Sequence, residues 1–313
     1  MAKIMPLSKR ESLKKRNRME MRHLTYFILP GLILTIIFKY LPMFGVVIAF
    51  KEFNPNLGIL GSRWVGFDNF KFFFTSDDFV RIVRNTLGYS LANMIVGNFI
   101  SVIIAVLCYN IHKRGLLKFY QTSLILPNFL SMVLVAYIVY IFLNPTYGLV
   151  NGFLKSIGIE GISWYSEPKY WPFILVFVSA WKGCGQGSII YYAAMMGIDD
   201  SLLEAAKLDG AKHIHEVIYI IIPEIASVIC IYLILGVGGM MNGDFGLFYQ
   251  VPMNIGALYP TTDIINTYVF RALQGASTMG QTAAVGLFQS GIGFILTWAA
   301  NKASKKVTDY GLW

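Results

Sequence analysis

Six long apolar stretches are the feature that most constrains how this chain can fold. They lie near residues 26–50, 86–109, 116–143, 171–196, 217–242 and 279–300. A helix needs roughly 20 apolar residues to cross a bilayer, and each stretch is long enough to do so. Strands of a membrane β-barrel are instead about ten residues of alternating polarity. The continuous runs therefore predict an all-α membrane protein with six transmembrane helices.

The composition agrees with a bilayer as the solvent of this chain. Of its 313 residues, 56% are hydrophobic and 14% are charged, which is too apolar for an ordinary soluble domain. The formal net charge of +9 does not indicate nucleic-acid binding, because residues 1–22 carry eight Lys and Arg against two Glu. Such a basic tail favours a cytoplasmic amino terminus. Binding of anionic lipid by the tail is the alternative.

The orientation of the predicted helices follows from the same rule. Six crossings place both termini in the cytoplasm, together with the basic connection at residues 112–114. The loop 197–216 should also be cytoplasmic, yet its five carboxylates outnumber its two lysines. The predicted external segments are rich in aromatic residues, which indicates an interfacial belt, with sugar stacking or docking of an external protein as alternatives. The aromatic residues are Trp64, Phe67, Phe70, Phe72, Phe73, Phe74, Trp164, Tyr165, Tyr170 and Trp171.

Motifs for catalysis or metal binding are weak in this sequence. The three cysteines lie inside apolar stretches without paired spacing, and His213 and His215 are two residues apart, so they do not share a helical face. The run Gly275–Thr282 resembles a phosphate-binding loop, but Gln281 replaces the required lysine. We therefore expect no catalytic residues, no bound metal and no cofactor in this chain, which is not predicted to be an enzyme.

The acidic loop holds the most informative pattern, Glu204-Ala205-Ala206, then Gly210, and then Ile220 and Pro223 at fixed spacing. It resembles the signature loop of the permease subunits of binding-protein-dependent ABC importers, with Ile222 where leucine is usual. Further segments resemble the carbohydrate-uptake class, and within it the branch for complex oligosaccharides and polysaccharide fragments. These segments are Phe38–Met43, Trp64–Phe70, Asn85–Leu87 and Asp309–Trp313.

The resemblance implies a fold, partners and an activity. It implies a type I importer permease fold in the bacterial cytoplasmic membrane, which imports oligosaccharides by alternating access. The implied partners are a second homologous permease, two cytoplasmic ATPase subunits that use ATP and Mg²⁺, an extracellular solute-binding lipoprotein and membrane lipid. The expected divisions are a basic tail (1–25), a first helix with an external segment (26–84), a five-helix domain (85–300) and a cytoplasmic tail (301–313). Import of another solute, or secondary transport, is the alternative.

The expected roles of individual residues fall into two groups. The resemblance makes loop 197–216 a coupling helix that docks on the ATPase. Its coupling residues are Glu204, Ala205, Ala206, Asp209, Gly210, Ile220 and Pro223. The spans on either side of this loop contain Gly183-x3-Gly187 and Gly239-x3-Gly243, which favour either close helix packing or a widened sugar path. We expect Gln186 and Asn242 to line such a path. Lys182 and Lys39, both inside apolar stretches, either pair with protein groups or line the path.

Overall fold

The computed structural model describes residues 25–275 and 278–308 of the chain. The basic amino-terminal tail and the segment Asp309–Trp313, on which part of the resemblance depends, lie outside the described residues, as do Ala276 and Ser277. The chain divides into two compact units. Among the described residues, the first comprises 25–71 and 278–284, and the second comprises 72–275 and 285–308.

The first unit contains a long helix followed by a small hairpin. Helix α1 (Thr25–Phe50) includes one π-helical turn, Ile36–Tyr40, in which Lys39 is exposed. Strands β1 (Lys51–Glu52) and β2 (Arg63–Trp64) pair antiparallel around the short helix α2 (Gly58–Gly61).

The segment Trp64–Phe70 holds this hairpin to the end of α1. The ring of Trp64 stacks on that of Phe50, with centroids 5.7 Å apart. The amide of Asn69 donates hydrogen bonds of 2.9 Å to the carbonyl oxygens of Ala49 and Lys51. These contacts give a structural role to a segment that the sequence singled out only by resemblance.

Helices make up almost all of the remaining chain. They are α3 (Asp68–Phe74), α4 (Phe79–Tyr109), α5 (Arg114–Ile125), α6 (Met132–Leu143), α7 (Leu149–Ser156), α8 (Trp171–Met195), α9 (Asp200–Leu208), α10 (His213–Glu224), α11 (Ala226–Gly239), α12 (Phe245–Gln250), α13 (Tyr259–Thr262), α14 (Ile265–Gln274) and α15 (Met279–Thr308).

The candidate membrane spans fall on the six apolar stretches. Four helical segments are long and apolar enough to cross a bilayer on their own: Thr25–Phe50, Phe79–Tyr109, Pro168–Met195 and Met279–Lys306. Two bent pairs, Arg114–Phe129 with Met132–Leu143 and His213–Glu224 with Ala226–Gly239, raise the number to six if each pair counts as one span. The prediction of an all-α membrane fold is confirmed.

Both bent pairs depart from the straight helices that continuous apolar stretches suggest. The first pair bends by 99° between Phe129 and Met132, after a 3₁₀ turn that contains Pro127. The second bends by 59° at Ile225, two residues after Pro223. Proline removes a backbone donor and clashes with the preceding turn, which accounts for a break near each of these positions.

The segment from α12 to α14 is tied to the start of α4. The amide of Asn85 donates to the carbonyl oxygens of Pro260 (3.2 Å) and Asp263 (3.0 Å), and the hydroxyl of Thr86 accepts from the N–H of Ile265 (3.0 Å). Asp263 has a fully buried side chain, which accepts from the guanidinium groups of Arg81 and Arg271. The pair Asn85-Thr86 thus has an anchoring role within the second unit.

Three aromatic residues that the sequence placed in an interfacial belt are buried instead. Phe73 packs among Phe79, Tyr268 and Phe288, while Tyr165 and Trp171 belong to one cluster on α6, α8 and α12. The belt prediction is therefore wrong for these residues, because side chains of neighbouring helices cover them. Trp64 and Phe67 are exposed, as a belt requires.

Candidate functional site

The loop 197–216 begins with a well-capped helix. The carboxylate of Asp199 accepts a 3.0 Å hydrogen bond from the N–H of Ser201, and bonds from the backbone and side chain of Ser201 hold the pKa of Asp199 below its usual value. Leu203 is buried and packs in a cluster with Tyr191, Met195 and Ile221. One apolar side chain thus fixes α9 against α8 and α10.

The turn after α9 depends on a glycine. Gly210 has φ of +76°, a left-handed conformation that glycine adopts without the steric cost of a side chain. The N–H of Ala211 donates to the carbonyl oxygen of Ala206 (2.9 Å), and α10 then begins at His213. Leu202–Leu208 are good helix formers and Gly210 permits a turn, so the local sequence favours the helix–turn–helix that the structure shows.

The outward face of α9 combines apolar and acidic groups. Leu208 is 90% exposed and Leu202 is 43% exposed, while Glu204 and Ala205 are exposed beside them. Asp209 and Pro223 are also exposed, whereas Ala206 and Ile220 are half-buried. The exposed leucines and Ala205 lie beside carboxylates, so this face offers both apolar and acidic groups to another protein.

A polar cavity of about 480 Å³ lies behind this face, between α9, α10 and the end of α4. The amide of Asn110 contacts Nε2 of His213 (2.9 Å), and Nδ1 of His213 lies 3.1 Å from Oε2 of the buried Glu216. Glu204 and Lys207 line the same cavity. The contact of Asn110 with His213 connects the end of α4 to the start of α10. Within residues 25–275 and 278–308, no three His, Cys, Asp or Glu side chains form a metal site.

A second cavity, of about 360 Å³, lies between α4, α8 and α11. Gly183, Gly239 and Gly243 line it, while a Cβ atom at Gly187 would lie 2.4 Å from Oγ of Ser101. The glycine pattern in the sequence is compatible with both close helix packing and a widened path, and each alternative applies to different glycines. Gly187 serves close packing, whereas Gly183 and Gly239 border open space.

Sequence reasoning missed the polar residues of this cavity. Ser90, Asn93, Asn98, Ser179, Tyr232 and Asp244 line it. The side-chain oxygen of Asn93 is buried and has no hydrogen-bond partner among the described residues. A periodic signal was present in α4, since Thr86, Ser90, Asn93, Gly97 and Ser101 recur every three or four residues and share one face.

The residues expected along the path lie close to this cavity, but not in its lining. Gln186 is exposed and accepts a 3.3 Å hydrogen bond from the amide of Asn128. Asn242 is exposed beside Gly243, and its carbonyl oxygen accepts from the amide of Asn266. Lys182 donates to the carbonyl oxygens of Pro127, Asn128 and Leu130, so its described contacts are with the backbone.

Comparison with known proteins gives a family match over most of the second unit. The model of the family described as "Binding-protein-dependent transport system inner membrane component" matches residues 97–309. That range includes α9, the turn at Gly210 and the helices on either side.

Similar proteins match over nearly the whole chain. Protein LplB of Bacillus subtilis is 36% identical over 285 residues, which cover 91% of this chain and 89% of LplB. The polygalacturonan/rhamnogalacturonan transport system permease protein YteP of Bacillus subtilis is 33% identical, with 96% and 94% covered. The crystal structure of a bacterial alginate ABC transporter, in complex with an alginate pentasaccharide-bound periplasmic protein, contains a chain that matches with a TM-score of 0.84 and 31% identity, covering 95% of this chain and 99% of that one.

Proposed function

Because the chain belongs to the family of binding-protein-dependent transport system inner membrane components, we propose that it is one permease subunit of an ATP-driven importer of oligosaccharides or polysaccharide fragments. As a membrane component of a transport system it is not an enzyme. The observation that carries the proposal is the exposed α9 surface on a signature loop inside the matched range.

The substrate class is inferred from the relatives. One relative is named as a permease for polygalacturonan and rhamnogalacturonan, and the matched crystal structure is of an alginate transporter. Both substrates are carbohydrate polymers. The cavity of this chain suits such a ligand, because it combines hydroxyl and amide groups with the rings of Tyr89, Tyr232 and Phe248.

The chain acts with several partners in this proposal. A second homologous permease completes the path, and two cytoplasmic ATPase subunits bind ATP and Mg²⁺. An extracellular solute-binding lipoprotein delivers the sugar, a role supported by the pentasaccharide-bound periplasmic protein of the alginate complex. The subunit is a multi-pass protein of the bacterial cytoplasmic membrane, with both termini and loop 197–216 in the cytoplasm.

Helix α9 is the coupling element between the ATPase and the membrane. Leu202, Ala205 and Leu208 offer apolar contacts, and Glu204 and Asp209 offer carboxylates to a basic partner. Leu203 packs with Tyr191 of α8 and Ile221 of α10, so a displacement of α9 is transmitted to both helices. The same two helices lead to the cavity that lies beside Gln186 and Asn242.

Reconstitution tests this function directly. The chain is co-expressed with a second permease and an ATPase subunit from the same organism, placed in proteoliposomes and supplied with a solute-binding protein. We expect ATP-dependent accumulation of a labelled oligosaccharide, and ATP hydrolysis that rises when loaded binding protein is added. Accumulation without ATP, driven by an ion gradient alone, would refute the proposal and favour a secondary transporter.

A further inference from the structure

A groove of about 340 Å³ runs between α4 and α8, and Tyr89 borders both this groove and the cavity of about 360 Å³. Arg84 lies at one end, and its floor and walls include Gly88, Ala92, Pro172 and Val176. Asn85, Tyr89 and Thr261 add polar groups to the lining, and the remaining residues are apolar. A groove with a cationic end and a hydrocarbon wall matches an amphipathic ligand.

Arg84 has N–H donors available to bind an anion at the end of this groove. Its side chain is exposed, and its Nε and one terminal nitrogen donate to Oδ1 of Asn85, at 3.4 and 3.1 Å. The same terminal nitrogen is 3.5 Å from the carbonyl oxygen of Pro260. A guanidinium carries five N–H donors. Among the described residues, no hydrogen bond uses the second terminal nitrogen of Arg84, so its donors are available to an anion.

The charges around the groove mouth favour a negative ligand. Asp263 accepts from both Arg81 and Arg271, and Asp78 lies 2.9 Å from Arg81. Arg81 and Arg271 are thus paired with carboxylates, whereas the acceptors of Arg84 are an amide oxygen and a backbone carbonyl oxygen. A negative charge on a ligand would give Arg84 a charged partner.

The length of the groove matches one leaflet of a bilayer. Arg84 follows the start of α4 at Phe79 by five residues, which places it near one end of that span. Eight residues separate Arg84 from Ala92, or about 12 Å along a helix. Half of the hydrocarbon core is about 15 Å thick. An acyl chain beside Gly88 and Ala92 would therefore place its phosphate at Arg84.

We propose that this groove binds one anionic phospholipid, with its phosphate on Arg84 and an acyl chain along Gly88, Ala92 and Val176. The site shares Tyr89 with the lining of the proposed sugar cavity and contains no residue of the coupling helix. A helix of the partner permease is the competing occupant, and the experiment below distinguishes the two.

The test uses the assembled complex in nanodiscs that contain phosphatidylglycerol with a photoreactive acyl chain, and the cross-linked peptide is mapped by mass spectrometry. We expect the lipid on α4 or α8 beside Gly88, Ala92 or Val176. Arg84→Gln should reduce this product about tenfold, the loss expected for one charged hydrogen-bonding group. A photoreactive phosphatidylcholine with the same acyl chain should also cross-link several-fold less.

A second variant tests the hydrocarbon part of the site without removing the cation. A Cβ atom at Gly88 meets no atom within 4 Å, so Gly88→Leu fills the groove without a backbone clash. We expect it to abolish the cross-link while the complex remains assembled. Lys155→Gln, an exposed cation on α7, is the matched control and should change nothing. A lipid cross-link that neither groove variant reduces would overturn the proposal. Formation of a disulfide between Ala92→Cys and a cysteine of the partner permease would also overturn it, because the partner would then occupy the groove.

Discussion

The ammonium group of Lys182 on α8 lies 2.7 Å from the carbonyl oxygen of Asn128 and 2.8 Å from that of Leu130. These carbonyls belong to the bend between α5 and α6, where the helical hydrogen-bond pattern is interrupted. Where a helix is broken within a bilayer, the freed backbone N–H and C=O groups need hydrogen bonds from other protein groups. The cation of Lys182 therefore stabilises the bend.

Methionine keeps the approximate length and the apolar stem of the Lys182 side chain but removes the ammonium group. We expect Lys182→Met to destabilise the complex. Hydrogen bonds to charged groups contribute about 1.5–3 kcal/mol each, and the three are not additive, so we expect a loss of about 3 kcal/mol. Thermal unfolding of the purified complex measures it, with Lys155→Met as the control. An unchanged melting temperature with a raised KM for sugar would instead make Lys182 a path residue.

Two glycines of the same helix should respond in opposite ways to substitution. Gly183→Leu extends into open space at the cavity, so we expect normal assembly and at least a tenfold loss of sugar uptake. Gly187→Ala places a methyl group 2.4 Å from Oγ of Ser101, so it should lower the melting temperature. Uptake kinetics and thermal unfolding of both variants test this. Equal uptake by Gly183→Leu and wild type would remove this cavity from the path.

Leucine at Gln186 or Asn242 tests the amide groups beside the cavity. We expect reduced uptake with assembly intact, because a leucine cannot donate to or accept from sugar hydroxyls. Gln186→Leu also removes the contact with Asn128, at a cost of about 1 kcal/mol, so its melting temperature is measured in parallel. Unchanged uptake kinetics in both variants would exclude these side chains from substrate contact.

Cysteine labelling tests the proposed orientation of the chain. Ser163 and Ser201 are both exposed, one between α7 and α8 and the other on α9. With Cys108, Cys184 and Cys230 replaced, a membrane-impermeant thiol reagent should label a cysteine at 163 in intact cells. It should label one at 201 only after the membrane is opened. Labelling of both positions in intact cells would contradict the topology.

The fold class and the coupling loop were predictable because their signals are local. Apolar stretches identify the spans, and the spacing from Glu204 to Gly210 predicts a helix followed by a turn, which the φ of Gly210 confirms. The bend at residues 127–130 was not predictable. Pro127 indicates that the helix is interrupted. The hydrogen bonds to the backbone carbonyls of the bend come from Lys182, more than 50 residues away, and the sequence does not display that contact.

The lining of the cavity depends on packing that the sequence does not display. Gly183 and Gly187 are equivalent in a motif, yet one borders a cavity and the other contacts Ser101. The segment from α12 to α14 offered no long apolar run, so its helices and the buried Asp263 were missed. The polar face of α4 was visible in the sequence, but residues of that kind also occur at ordinary helix interfaces.

The last prediction concerns energy coupling, and it begins from the exposed surface of α9. Glu204 should accept charged hydrogen bonds from the ATPase, and Leu202 and Leu208 should enter an apolar cleft. Glu204→Ala should weaken docking by about 2–5 kcal/mol if a charged partner is left buried and unpaired. Gly210→Val should strain the turn, because a β-branched residue resists the observed φ of +76°. Neither change should prevent membrane insertion.

The measurements for this prediction are retention of the ATPase during purification and sugar-stimulated ATP hydrolysis. Glu204→Ala should lose part of the ATPase during purification, and the remaining binding should depend less on salt, because one charged contact has been removed. Gly210→Val should retain part of the ATPase but lose stimulation, because a displaced α9 no longer transmits movement through Leu203. Lys155→Gln, an exposed cation on α7, is the control and should retain both properties. Full stimulation and normal ATPase retention in the Glu204→Ala, Gly210→Val double variant would refute the coupling role of α9, even though the membrane fold would stand.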